Sequence, residues 1–381
     1  MKQRNPALNF TGVLVIMLSS LAAFPQAPTP ADAVALAQQG KLPEAERAWR
    51  AIARNDPHDA GAFASLGVVL SRQQKYPDAA AAYRKALALN PKLPGVQMNL
   101  GLAEFKQGKL REAVAPLTAA LDAEPGNMQV RILLGLSCYG VKRFADAAKY
   151  LEPAIKADPG NLELRQTLAQ SCLGAKKYDC ALTEFRQILL QNPNSSAAHI
   201  LLGEALDGLG RTPEAISEFQ AAANAKPPEP NAHFGLGYLY WKSHQYEDAR
   251  REFQEQLAIE PGHAQSLAYL GDIEWKANHE KEALEFLQRA VQLRSDIRIA
   301  YVDLGAVLTQ QKRYPEALAA LRRAINLDPS QPDAHYRLGR VYQATGDTAA
   351  AQKEFAAVRR LHQKSEEDIA TKMSAASAQQ P

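Results

Sequence analysis

Alanine returns at one fixed interval: Ala45, Ala79, Ala113, Ala147, Ala181, Ala215, Ala249, Ala283, Ala317 and Ala351 stand 34 residues apart, with no insertion. A period of this size is incompatible with a chain wrapped around one central core. Each interval is a unit that cannot bury its apolar face alone, and stacking on neighbours supplies the core. Other positions keep the same step. Four residues after each alanine stands a bulky apolar side chain: Trp49, Tyr83, Leu117, Leu151, Phe185, Phe219, Phe253, Leu287, Leu321 and Phe355. A third slot holds Gly67, Gly101, Gly135, Ala169, Gly203, Gly237, Gly271, Gly305 and Gly339. Proline closes the interval at Pro57, Pro91, Pro125, Pro159, Pro193, Pro227, Pro261 and Pro329, with Ser295 in its place once.

Each interval reads as two amphipathic helices. In "AHYRLGRVYQATG", His335, Leu338, Gly339 and Tyr342 share a helical face, and Gly346 closes the segment. In "PEALAALRRAINLD", Ala317, Leu321 and Ala324 do the same for a second helix. The small slots then acquire a purpose, because two helix axes approach to ~8–10 Å only where the contact residues are short. The closing proline moves its preceding residue out of the right-handed helical region and ends the second helix.

With these slots in place, each interval resembles a tetratricopeptide repeat; "AHFGLGYLYWKSHQYEDARREFQEQLAIEPG" is a close match. The resemblance implies an all-α fold, a right-handed α-solenoid of about ten 34-residue helix-turn-helix repeats over residues 26–361. Units are expected near 26–59, 60–93, 94–127, 128–161, 162–195, 196–229, 230–263, 264–297, 298–331 and 332–361. The first unit departs from the pattern at Asp32 and Ala33, and Gln363 stands where a proline would close the last. After Leu361 the sequence turns polar, and residues 362–381 read as a capping helix that frays into a disordered tail.

Charge excludes some partners. Lys plus Arg is 44 against 41 Asp plus Glu, so no basic excess argues for nucleic acid or an anionic membrane surface. At the N-terminus, Lys2 and Arg4 precede an apolar run from Phe10 to Leu21, then small residues and a proline-rich stretch. This is the anatomy of a secretory signal peptide, residues 1–22, too short to span a bilayer comfortably. Export to a periplasmic or secreted location is expected, with no membrane span once the segment is removed. An uncleaved N-terminal anchor is the alternative.

Catalytic chemistry is not expected. No histidine pairs with Cys or Glu at a metal-ligand spacing, and no phosphate loop or nucleophile elbow occurs. His199, His233 and His335 share a slot with Phe63 and Tyr301, which reads as packing. Carboxylates are expected on outward, solvated faces. No catalytic residue, metal site or cofactor is therefore assigned. Cys172 and Cys180 flank one helix–turn–helix and could bond in an oxidising compartment, but buried free thiols are the expected state.

Some relatives of the family hold a chaperone C-terminus with paired Lys and Asn. The matching slots here, Ala64, Met98, Ile132, Gln166, Ile200, Phe234 and Ala268, carry no Lys. The slot of an asparagine ladder holds Ser65, Asn99, Leu133, Thr167, Leu201, Gly235, Tyr269, Asp303 and Arg337. Neither device is expected. Instead, Phe234, Tyr238 and Trp241 form a second apolar stripe at i, i+4 and i+7, continued by Asp272 and Trp275 in the next unit. The family resemblance places this stripe in a concave groove. A flatter patch of Met98, Leu102, Phe105, Ile132, Leu136 and Tyr139 is expected to extend it. The function expected is an exported scaffold binding a protein or extended peptide there, and a possible component of an envelope complex. The alternative is a self-assembling envelope element without a groove ligand.

Overall fold

The structure is a computed structural model describing residues 27–225 and 229–377, with side chains to residue 371. The expected signal peptide lies outside these residues. The fold is all-α, a helical repeat solenoid, and no strand occurs among the described residues. The chain divides into two compact units at Val141/Lys142. The first holds α1 (Pro30–Gln38), α2 (Leu42–Asn55), α3 (Ala60–Arg72), α4 (Tyr76–Leu89), α5 (Val96–Lys106), α6 (Leu110–Ala123) and α7 (Met128–Gly140). The second begins with α8 (Phe144–Ala157), α9 (Leu162–Gly174), α10 (Tyr178–Gln191), α11 (Ser196–Gly208), α12 (Thr212–Ala223) and α13 (Ala232–Lys242). It continues through α14 (Tyr246–Ile259), α15 (Ala264–Lys276), α16 (Glu280–Leu293), α17 (Arg298–Gln310), α18 (Tyr314–Leu327), α19 (Pro332–Ala344) and α20 (Thr348–Ser377).

Local signals place these ends. The first helix of several pairs starts on a side-chain cap: Asp59 accepts from the Ala62 amide, Asn127 from Val130, Asn161 from Leu164 and Ser195 from Ala198. Among the described residues, the residue before a closing proline is extended, as at Asp56 (φ −126°, ψ 93°) and Asn90 (φ −141°, ψ 95°). Arg294 is extended too, although Ser295 follows it, so the bend survives without the proline. Between the helices of a pair, one residue turns left-handed every 34 positions. Glycine fills that place at Gly108 and Gly210, but Gln74, Lys142, Lys176, His244, Asn278 and Lys312 also adopt positive φ.

The packing follows the slots. The alanines from Ala45 to Ala317 are fully buried. A Cβ added at Gly101 would sit 2.5 Å from Leu117, one at Gly237 2.8 Å from Phe253 and one at Gly305 2.5 Å from Leu321. Each glycine therefore makes room for the bulky side chain sixteen residues on, in the partner helix of its own pair.

Four expectations change. The histidine slot is a polar seam: the Nδ1 atoms of His199, His233 and His335 lie 2.6, 2.9 and 2.6 Å from Glu218, Glu252 and Glu354, and Arg165 pairs with Glu184 in the same way. The carboxylates are not confined to solvated faces, since Glu104, Glu252, Glu274, Asp272 and Asp303 are buried. Cys172 and Cys180 are bonded, with Cα atoms 5.8 Å apart, because the turn at Lys176 folds α10 back onto α9. Cys138 is buried and outside that bridge. Residues 362–377 continue α20 without a break, so position 361 falls inside a helix.

Candidate functional site

The aromatic stripe on α13 meets a residue of α15 that the sequence pattern did not single out. Tyr269 stacks on Phe253, with ring centres 5.5 Å apart, and stands edge-on to Trp241 at 4.8 Å and to Tyr238 at 5.7 Å. Phe234 lies 6.1 Å from the same ring and 4.9 Å from the His263 imidazole. Four aromatic side chains thus form one wall, each half-buried rather than enclosed. Burial, with Tyr238 and Asp272 nearby, pushes the Tyr269 hydroxyl up to about 12, so it remains a donor at neutral pH. Behind the wall, the Phe234 amide donates to Oε1 of fully buried Gln256 at 3.3 Å.

Asp272 organises the polar edge. Its Oδ2 accepts from Trp241 Nε1 and from Lys276 Nζ, both at 2.5 Å. The Lys276 ammonium also sits 4.9 Å above the Trp241 ring and 5.1 Å above Tyr246. One carboxylate therefore fixes both the indole and the cation lying over it. On α17, Asp303 is buried beside Asp272, with Arg337 Nη2 of α19 at 3.9 Å. Burial first, and the Asp272 charge second, push the Asp303 carboxyl far above the usual carboxylate range. Ionised, its Oδ2 has no hydrogen-bond donor; protonated, it can donate to Asp272.

The expected site residues divide. Phe234, Tyr238, Trp241 and Asp272 come together, while Trp275 packs against the apolar cluster running from α15 to α19. Met98, Leu102 and Phe105 on α5, and Ile132, Leu136 and Tyr139 on α7, are half-buried in the first unit. Met98 lines a cavity of about 440 Å³ there with Leu93, Pro94 and Asn127, whose Nδ2 lies 4.0 Å from the Met98 sulfur. A second cavity, about 270 Å³, opens beside the aromatic wall between α11 and α13 and is rimmed by Glu204 and Asp207. Among the described residues no group of three or more His, Cys, Asp or Glu could hold a metal ion, and no helix is long and apolar enough to cross a membrane.

Comparison with known proteins agrees with this architecture. A family model described as "Tetratricopeptide repeat" matches residues 31–94, 98–161 and 234–296, half of the chain. Models of the same description match 139–205, 173–236 and 333–365, and one described as "TPR repeat" matches 305–346. No curated protein matches significantly. Among solved structures, the APC/C hetero-tetramer Cut9–Hcn1 aligns with a TM-score of 0.52 and 14% identity, over 87% of this chain and 79% of that one. MamA aligns at 0.37 and 22% identity, over 44% of this chain and 97% of its own. A MamA fragment from Desulfovibrio magneticus RS-1 aligns at 0.39 and 21%, over 44% and 96%. The Cut9–Hcn1 likeness is one of fold.

Proposed function

The chain belongs to the tetratricopeptide repeat family, and from that premise we propose that it is an exported scaffold whose second unit holds a protein or extended peptide against its first helices. The observation that carries the reading is the aromatic wall of Phe234, Tyr238, Trp241 and Tyr269, four rings in mutual contact that the chain leaves half-covered. Half-open tyrosine and tryptophan clusters are the surfaces on which binding energy concentrates. The Cys172–Cys180 bond supports export, because disulfides persist in oxidising compartments. The apolar run from Phe10 to Leu21 supports it independently. In this role the chain is a non-enzymatic member of an envelope complex.

Tyr238 is the residue to test, since its ring touches Trp241 and Tyr269 from the open side. Affinity capture from envelope extract is expected to lose its partner with Tyr238→Ala while the melting temperature stays close to the parent's. Unchanged capture by that folded variant refutes the wall as the binding surface. Fractionation of the full chain tests export separately: protein retained in the cytoplasm with reduced Cys172 refutes it.

A further inference from the structure

The proposed reading leaves the partner's chemistry open, and the cavity between α11 and α13 narrows it. Ile200, Phe219, Phe234 and Tyr238 supply apolar walls, and Glu204 and Asp207 supply the rim. Gly235 lines it too, in a slot that holds Leu201 on α11 and Tyr269 on α15, and its missing side chain lets the Phe219 ring pack against the α13 backbone. About 270 Å³ is smaller than the ~300–1,000 Å³ of small-molecule sites. It suits one long side chain of a larger partner.

Charge selects which side chain. Asp207 is already answered by Lys242, whose Nζ lies 2.7 Å from Oδ1. Glu204 makes no hydrogen bond or ion pair with any described residue. Its carboxylate is exposed, yet the walls of the concavity exclude enough water to raise its pKa by desolvation. One unanswered negative charge therefore stands at the mouth of an apolar, aromatic-walled slot. An acidic side chain is repelled there, and a purely aliphatic one leaves the carboxylate partly dehydrated with no counter-charge. A basic side chain lays its methylene stem along Ile200 and the aromatic faces while its head reaches Glu204.

We propose that this pocket takes a lysine or arginine side chain from an extended segment of the partner, with Glu204 as its counter-ion and Phe234 and Tyr238 as its walls. The inference rests on the scaffold reading and makes it directional: the partner places a basic residue beside the apolar residues that cover the aromatic wall.

The probe is a displayed random-peptide library selected on the full chain, with the best peptide then synthesised. Arginine or lysine is expected at one fixed position next to apolar residues. Glu204→Gln, a change on an exposed side chain, is expected to weaken the peptide about tenfold, as loss of one charge-assisted contact does. Replacing the peptide's basic residue by norleucine is expected to cost the same factor, and the two changes together little more. Peptides that lose binding with Tyr238→Ala but show no basic preference, or that bind Glu204→Gln unchanged, overturn the pocket assignment and leave the scaffold reading standing. A selection yielding no peptide sensitive to Tyr238→Ala overturns both.

Discussion

Replacing Gly235 with alanine is expected to loosen the structure at α12–α13, against the ordinary preference of helices for alanine. The Phe219 ring is held between two glycines, one on each edge. A Cβ at Gly203 would lie 2.8 Å from Cδ2 and Cε2, and a Cβ at Gly235 would lie 2.1 Å from Cε1 and 2.6 Å from Cδ1. Carbon atoms pack best at ~3.5–4.0 Å, so the overlap at Gly235 is about 1.4 Å and at Gly203 about half that. The ring cannot retreat from one glycine without pressing on the other, and at 5% exposure it has no route to solvent. Overpacking of this kind costs ~1–3 kcal/mol, and Gly235 belongs near the upper end. Alanine returns ~0.5–1 kcal/mol of helix propensity. Net destabilisation of about 2 kcal/mol follows for Gly235→Ala, and less for Gly203→Ala. Phe219→Leu removes the obstructing ring edge, so adding Gly235→Ala to it is expected to be neutral or mildly stabilising. The cycle is read by urea unfolding and, because each repeat touches only its neighbours, by amide exchange in α12 and α13. A Gly235→Ala chain as stable as its parent, with Phe219 intact, refutes the clamp.

Asp303 gives the chain a pH dependence. An acid whose folded-state pKa is raised contributes stability that is present below its ordinary value of 3.8 and is lost as pH rises toward the raised one, about 8. Asp303→Asn keeps a donor toward Asp272 without the titration, and its melting temperature is expected to vary less across that window; a profile parallel to the parent's refutes the buried-acid account. The Cys172–Cys180 bond closes a loop with a sequence separation of 8. Its loss in Cys172→Ser is expected to cost about 2.5 kcal/mol on the chain-entropy argument, read by melting with and without reductant. Three alkylatable thiols in oxidised, exported protein count against the bridge. Lys312 holds φ at 59°, a conformation costing a non-glycine residue ~1–2 kcal/mol. Lys312→Gly is expected to stabilise the turn before α18 by about 1 kcal/mol or a little less, after the entropy of the unfolded chain is counted; a lower melting temperature contradicts this.

The pair architecture was legible because the alanine, glycine and bulky slots answer one another within a single pair, and a 34-residue period exposes any position with one fixed role. The left-handed turn residue obeys the same period and stayed hidden. Gln74, Lys176 and His244 carry no chemical mark of positive φ, and the packing of the two helices imposes it on them. The disulfide was legible only as an alternative to free thiols for a related reason, since a separation of 8 yields a 5.8 Å approach only through that turn. Three of the four rings of the aromatic wall were visible as spacing along α13. Its hub was not, because Tyr269 lies one helix pair away and follows Leu201 and Gly235 in its slot. Asp272 and Asp303 resemble any surface carboxylate in a helix, and only the pairing of helices shows them buried. Trp275, in the slot of Trp241, turned out to pack in a different cluster.

That uneven legibility has one physical source. A residue that touches its own partner helix meets the same neighbour in every unit, so the repeat admits only a few side chains there: glycine against a ring, alanine at a helix crossing. The slot of Leu201, Gly235, Tyr269, Asp303 and Arg337 meets no such constant neighbour. Gly235 admits the Phe219 ring beside a cavity, Tyr269 anchors four rings, Asp303 is a buried acid beside Asp272, and Arg337 answers it from α19. The helices repeat while this line of side chains passes from apolar to empty, aromatic, acidic and basic within the second unit. A face built in this way can tell one end of an extended partner from the other. A strictly periodic face would offer every register of that partner the same contacts, so the positions that break the repeat are the ones able to specify a ligand.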